Sequence, residues 1–359
     1  MKGKSVVLVA RDAAPSRCFT RLEESLKSKG IEAVLFVGDG KLINQDQEEI
    51  EEAITSSRIV FLGMSSTKEL AEVEIIAGEA AIKNNIPFGF YGDALHSWNR
   101  ARPGEFFDGI APLAAFYFGL TEKDAQDARL VFPKALCLGT GNPLREEMIF
   151  PKLPREEVRR RLGIKGNEKL IFSGGGKFIG GNLACWAIIM QELHHLKEDF
   201  DFQLVLSPHP GDRVLSAFDQ KENKPLDVYE ELASYSPVPT RVEKNMMASE
   251  IVPGSDLVID PFTSIALEAA ALEIPVISLR LEILFLLKEK RSGTRIVEAI
   301  DEGLSELVYP NQLKEAVKRL LTSEGSDLMR FRQKKFFPKV DKRGEAIGKM
   351  VEAINSFIK

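Results

Sequence analysis

Hydrophobic and polar positions along this chain switch repeatedly between two periods. Short apolar runs rich in β-branched residues fall at 5–10 (SVVLVA), 31–37, 58–63 (RIVFLG), 87–91, 114–118 and 135–138, and read as buried strands. Stretches of helical period lie between most of them, at 17–29, 46–52, 67–84 and 121–129. Their ends carry recognisable signals. Gly30 stops the first, acidic residues open the second, Asn84 and Asn85 close the third, and Thr121 caps the fourth with Asp124 in the capping-box position. The segment RDAAPS after the first strand reads as a loop. Strand–helix alternation of this kind predicts a doubly wound parallel sheet. The stretch 92–109, GDALHSWNRARPGEFFDG, breaks the pattern. It follows the fourth strand, where loops carry function, and it holds Asp93 and His96.

The pattern then restarts. Residues 139–154, GTGNPLREEMIFPKLP, contain three prolines and two glycines and mark a boundary. The expected division is a first α/β domain at 1–141, a linker at 142–154, a second α/β domain at 155–340 and a last helix at 341–359. In the second domain, strands are predicted at 169–173, 202–207 and 240–242, with helices at 154–162, 182–197, 226–235 and 245–252. A strand–helix–strand unit follows at 255–280, SDLVIDPFTSIALEAAALEIPVISLR. Helices at 296–303, 311–321 and 327–337 come next, the last with Ser326 as its cap. The helix at 343–358 places Ile347, Met350, Val351, Ile354 and Ile358 on one face.

Three strand-to-helix turns in the second domain suit an anionic ligand. SGGGKFIGG brings Gly174, Gly175 and Gly176, whose backbone can approach a phosphate, together with Lys177. It matches neither GxxxxGK[ST] nor GxGxxG. SPHPGDR places His209 between two prolines, with Arg213 nearby, and an imidazole there can donate to a leaving-group oxygen. The third turn holds Thr263 and Ser264, with Glu268 one helical turn further on, where a carboxylate can accept from a ribose diol. Each has a purely structural counterpart: a glycine turn for tight packing, a histidine cap, an N-cap with a first-turn acid.

Composition narrows the class. At 359 residues, the chain can bury large cores without disulfide or metal staples. Its net charge of −5 argues against nucleic acid as a partner. Three scattered cysteines and four histidines form no zinc pattern, and the cysteine usage fits a reducing, cytoplasmic setting. No stretch reaches the ~18 apolar residues of a membrane span. Two apolar runs, 110–120 and 279–287, read as core, the second alternatively as an exposed helix resting on a membrane or partner. The basic run 334–343 reads first as a solvated face, with peripheral membrane contact as its alternative.

The order of these motifs resembles the GT-B superfamily of nucleotide-sugar enzymes: GNPLREE, then RRLGI before a glycine turn, PHPGD after the second strand, and SxxLEAAxxxxPVIS. The branch most similar holds lipid-A-disaccharide synthase, the UDP-N-acetylglucosamine 2-epimerases and capsule glycosyltransferases. The resemblance implies two Rossmann-like domains facing a cleft, with the nucleotide held by the second. It implies diphosphate contacts from Gly174–Lys177, Thr263 and Ser264, a ribose contact from Glu268, and a role for His209. It also implies a last helix that returns to the first domain. The substrate would be a nucleotide-sugar, UDP-sugar first, with a hydroxyl acceptor and no separate cofactor or metal. Asp93, His96 and Asp12 are the candidate bases. The epimerases carry two adjacent acids where FTSIALEA has one, which favours a glycosyltransferase over an epimerase. A GT-B-like module that binds without turnover is the third alternative. The sequence leaves the oligomeric state open.

Overall fold

The structure is a computed structural model describing residues 5–38, 47–151, 153–176, 179–209, 216–219, 224–292, 295, 297–337 and 340–358. The chain divides into two compact units, residues 1–147 with 338–359 and residues 148–337.

The first unit is built in the order β1 (Ser5–Ala10), α1 (Ala13–Ser28), β2 (Glu32–Val37), α2 (Gln47–Ser56), β3 (Ile59–Gly63), α3 (Lys68–Lys83), β4 (Phe88–Tyr91), β5 (Phe116–Gly119), α4 (Glu122–Ala128), β6 (Leu136–Gly139) and α5 (Pro143–Ile149). Its sheet runs β2-β1-β3-β4-β5-β6, every neighbouring pair parallel. Both faces are covered, as parallel sheets require. Strand period decides which residue meets which layer. Val7, Val9, Val60 and Leu62 pack with Ala71, Ala77 and Ala81 of α3. Val6, Leu8 and Phe61 pack with Phe19 and Leu22 of α1.

The second unit runs α6 (Arg155–Leu162), β7 (Lys169–Gly174), α7 (Ile179–Leu193), β8 (Phe202–Ser207), an antiparallel hairpin of β9 (Ser216–Asp219) and β10 (Lys224–Asp227), then α8 (Val228–Ser234), β11 (Thr240–Val242), α9 (Ala248–Ile251), β12 (Leu257–Asp260), α10 (Ile265–Ala271), β13 (Val276–Leu279), α11 (Glu282–Ser292), α12 (Glu298–Asp301), β14 (Glu306–Val308), α13 (Leu313–Leu320) and α14 (Ser323–Phe336). The six-stranded sheet is ordered β11-β8-β7-β12-β13-β14 and is parallel throughout. Renumbered within the sheet, this is 3-2-1-4-5-6, the dinucleotide-fold order. The last helix, α15 (Glu345–Ile358), belongs to the first unit. Its Ile347, Met350, Val351, Ile354 and Ile358 are all buried there against the sheet layer of Val6 and Phe61. Glu146 secures its start by accepting from the Gly344 and Ala346 amides, at 2.8 and 2.5 Å.

Several local expectations change. RDAAPS is not a loop, because Asp12 caps α1 by accepting from Ala13 N at 2.9 Å. Helix α5 occupies the stretch expected as linker. The hairpin β9–β10 and the three-residue strand β14 were not foreseen. Helix α14 starts earlier than expected: Thr322 caps it, accepting from Gly325 N at 3.0 Å, and Ser326 is fully buried inside it. The apolar run after β13 forms α11, which exposes Ile283 and Leu286. The arginines of α6 are structural. Arg155 and Arg159 clamp Asp256 at 2.6 and 2.9 Å, tying the helix to the entrance of β12. Among the described residues, no helix is long and apolar enough to cross a membrane.

Candidate functional site

A doubly wound sheet has one place where the connections reverse direction, and the carboxyl ends of the strands flanking it splay into a crevice. In the second unit these strands are β7 and β12. β7 ends in Gly174 and continues to Gly176, while β12 ends in Asp260 and turns through Phe262 and Thr263 into α10. The structure therefore sets two of the three foreseen turns side by side. A Cβ on Gly176 would lie 3.3 Å from Thr263 Cγ2, and one on Gly174 would lie 3.2 Å from Ile265 Cγ1. The third turn follows β8, the neighbour of β7 on the other side, and Gly175 N donates to Ser207 O at 2.8 Å. Half-buried His209 lies two residues beyond β8. Lys177 and Arg213 lie outside the described residues.

The physical reason for the glycines differs from the expected one. The Gly175 amide is committed to Ser207, and the Gly176 amide donates to Asn182 Oδ1 at 2.9 Å. Asn182 Nδ2 returns a bond to Gly176 O at 2.7 Å. These two N–H groups are spent on the protein. The glycines are needed for space, since a Cβ on Gly175 would meet Asn182 at 3.0 Å and Trp186 at 3.2 Å.

The turn after β12 is held by a residue the sequence reading passed over. Asp260 is fully buried, and its Oδ1 accepts from Thr263 N at 2.8 Å and from Thr263 Oγ1 at 2.7 Å. Its Oδ2 is buried without a partner among the described residues. Burial lifts its carboxyl to about 6, opposed by the bonds from Thr263 and Phe262. The signal was available, because an Asp three residues before a Thr is a side-chain-to-backbone turn pattern. The same turn stores strain. Phe262 has φ 63, a left-handed conformation costly for a bulky residue, and its ring packs on Phe285 of α11 at 4.6 Å.

Thr263 and Ser264, expected together at the diphosphate, differ in what their hydroxyls do. Thr263 Oγ1 accepts from Ile265 N at 3.2 Å, so it supports the helix start. Ser264 stands at the cap position but makes no side-chain cap bond, and it is exposed. Its hydroxyl remains available to a ligand. Glu268 is only 8% exposed, far from the solvated first-turn acid of the structural alternative. Its amide bonds Ser264 O at 3.2 Å, which places it one turn inside the crevice helix.

In the first unit, direction reverses between β1 and β3. There Glu74 of α3 is fully buried. It accepts from Arg11 N at 3.2 Å, Ser65 N at 2.9 Å and Ser65 Oγ at 2.7 Å. Burial lifts its carboxyl to about 7, opposed by the bonds from Ser65 and Arg11. Asp12 has both oxygens engaged, one capping α1 and the other accepting from Ser66 N at 3.1 Å. These bonds pin the start of α1 to the segment after β3. Asp93, at the end of β4, is half-buried. Its carboxyl is raised by desolvation, with Arg100 and Arg145 opposing the rise and Asp12 adding to it. His96 adopts a left-handed backbone, φ 57, and its N–H donates to Asp124 Oδ1 at 2.9 Å. Asp124 also takes Trp98 Nε1 at 3.1 Å and Tyr117 OH at 3.2 Å. The capping-box acid of the sequence is thus the buried anchor of the 92–109 loop. Among the described residues, no three His, Cys, Asp or Glu side chains group closely enough to hold a metal ion.

Solved structures share this architecture over almost their whole length. The UDP-GlcNAc 2-epimerase of Methanocaldococcus jannaschii matches with a TM-score of 0.62 at 15% identity, over 98% of this chain and 99% of that one. The chain has the GT-B fold. A glycosyltransferase from Rickettsia africae shares the GT-B fold with it at TM-score 0.58 and 12% identity, over 100% of both chains. So does the UDP-GlcNAc 2-epimerase of Neisseria meningitidis, solved bound to UDP-GlcNAc, at TM-score 0.59 and 16% identity, over 98% of this chain and 100% of that one. No family model and no curated protein matches the sequence. Epimerases and glycosyltransferases both carry this GT-B architecture, so the fold alone does not choose between them.

Proposed function

We propose that this chain is an enzyme acting on a nucleotide-sugar, UDP-sugar first, and that it transfers the sugar to a hydroxyl acceptor. The observation that carries the reading is the crevice between β7 and β12, where a buried carboxylate, Glu268, stands one helical turn from the uncapped hydroxyl of Ser264. A ribose diol can donate two hydrogen bonds to a carboxylate so placed. The Ser264 hydroxyl and the His209 imidazole would donate to the diphosphate as charge develops on the leaving oxygen, in a transfer that needs no metal. Asp93 supplies the base. Desolvation weakens its acidity, so its conjugate base takes a hydroxyl proton more readily than a surface aspartate would.

The solved relatives bound to UDP-GlcNAc support the nucleotide class and bring a second reading, epimerisation at sugar C2. Both readings predict that UDP raises the thermal midpoint and that Glu268→Ala removes the shift. They separate in heavy water. An epimerase incorporates deuterium at C2 of the sugar, whereas a transferase leaves C2 unlabelled and forms a glycoside with the acceptor. No stabilisation by UDP, GDP, CDP or dTDP would defeat both.

A further inference from the structure

The end of β12 holds a carboxyl group that makes no contact with the proposed ligand. Asp260 is fully buried where the strand enters the Thr263–Ser264 turn. Its Oδ1 accepts twice from Thr263, and its Oδ2 has no partner among the described residues. Strand register explains the vacant oxygen. Phe172 of β7 pairs with Val258, so counting two residues on sets Gly174 beside Asp260, and glycine offers no side chain. On the other flank Ser278 of β13 pairs with Asp260, but its hydroxyl shares a bond with Ser305 Oγ at 2.9 Å.

The surroundings offer no cation to an ionised Asp260. β7 and β13 place no titratable side chain beside it. Helix α10 brings one acid, Glu268, and α7 brings Cys185, whose thiol burial pushes up and keeps neutral. His209 follows the end of β8, one strand beyond β7. Among the described residues, burial is opposed only by the bonds from Thr263 and Phe262, and no lysine or arginine acts on the carboxyl. A diphosphate at the Thr263–Ser264 turn adds negative charge close to this group. Like charge raises a carboxyl further, and a buried site screens it poorly. The neutral form keeps the turn, because Oδ1 still accepts from Thr263 while the proton sits on the oxygen that has no partner.

We infer, resting on the nucleotide reading of this crevice, that Asp260 is a proton-linked positioning residue that takes up a proton on Oδ2 when a nucleotide diphosphate enters. Ionised, the carboxylate repels the ligand beside the turn it holds. Protonated, it holds the same turn without the repulsion. An aspartate that served the turn alone would leave binding indifferent to pH.

The test is calorimetric titration of the full chain with UDP-GlcNAc, whose diphosphate has no group that titrates near neutrality, in buffers of unequal ionisation enthalpy. Proton uptake appears as a slope of the observed heat against the buffer's enthalpy. With the carboxyl starting at about 6 and rising by about one unit, uptake should peak at roughly half a proton per nucleotide near pH ~6.5. Affinity should fall about five- to tenfold between pH ~5.5 and pH ~8. Asp260→Asn keeps the Oδ1 acceptor and cannot ionise. It should show no such uptake and bind about five- to tenfold more tightly than the wild type at pH ~8. Asp260→Ala loses the turn and should bind more weakly at every pH. Histidine titrates in the same range, so His209→Gln is the control. Uptake that persists in Asp260→Asn and vanishes in His209→Gln would overturn the proposal. If Asp260→Asn does not fold, wild-type uptake that His209→Gln preserves supports the proposal, and its loss in that variant overturns it. Binding with no proton uptake would defeat the proton link alone. Absence of binding at every pH would defeat the nucleotide reading and the proton link with it.

Discussion

The two units reverse their sheets in the same manner and fill the resulting crevice in opposite ways. Between β1 and β3, side chains close the gap: Glu74 gathers the Arg11 and Ser65 amides, and Asp12 N donates to Ser65 Oγ at 3.0 Å while its carboxylate takes the Ser66 amide. Between β7 and β12, glycine and threonine line the gap and the pinning groups sit below it, Asn182 under one turn and Asp260 under the other. Each crevice has a buried acid raised toward neutrality by desolvation, Glu74 to about 7 and Asp260 to about 6. In the first unit that acid bonds across the opening. In the second, among the described residues, it bonds only its own turn. Topology offers a crevice twice, and side chains bridge the first.

The sharpest way to break this contrast is a pair of substitutions read by the same ligand assay. Glu268→Ala should abolish the stabilisation by UDP, a loss of about 10- to 100-fold in affinity for two charge-assisted bonds. Glu74→Ala should leave UDP affinity unchanged. If Glu74→Ala abolishes nucleotide binding and Glu268→Ala does not, the ligand belongs to the other unit.

Stability comes next. Glu74→Ala strands two backbone amides and a hydroxyl, and urea unfolding should show a loss of about 2–3 kcal/mol. Asp260→Ala should cost a similar amount. It should also weaken UDP binding, because the Thr263 turn loses both of its bonds to Oδ1.

The pH dependence gives a finer view. The folded chain holds the Glu74 proton more tightly than the unfolded chain, whose carboxyl titrates near ~4.3. The contribution is therefore complete below that value and is lost as pH rises through about 7. Stability should fall over this window by about 1–3 kcal/mol relative to a Glu74→Gln variant, whose profile should be flatter. Asp260 acts with the same sign over the window from about 4 to about 6. A wild-type profile that rises across pH 4.5 to 7 relative to Glu74→Gln would show that the three donors outweigh burial.

The smallest effect tests the smallest group. Ser264→Ala should change stability by less than ~0.5 kcal/mol, since no cap bond is lost, where a true N-cap would cost about 1 kcal/mol. It should still weaken UDP binding several-fold.

Much of the fold was legible because parallel sheets covered on both faces write long apolar runs. All six residues of β1 are buried, as SVVLVA implies. The five apolar positions of the last helix are buried as its period predicts. Short or weakly patterned pieces were not legible. β14 has three residues and borrows its identity from pairing with β13. Asp12 and Asp124 were visible as a charged loop residue and a capping acid, yet their partners lie 54 and 28 positions away, at Ser66 and His96. Local pattern carries no record of such distances.

The crevice divides along the same line. By itself the sequence determined three glycine-, proline- and hydroxyl-rich turns after buried strands, and an acid one turn into a helix, because turn chemistry and strand period are local properties. The tertiary structure alone decided that β7 and β12 are neighbours. It also decided that the Gly175 and Gly176 amides are spent on the protein, that Ser264 is free of cap duty and that Glu268 is buried. Those facts depend on which strands pair and on what fills the space between them, and contacts between residues distant in sequence set both.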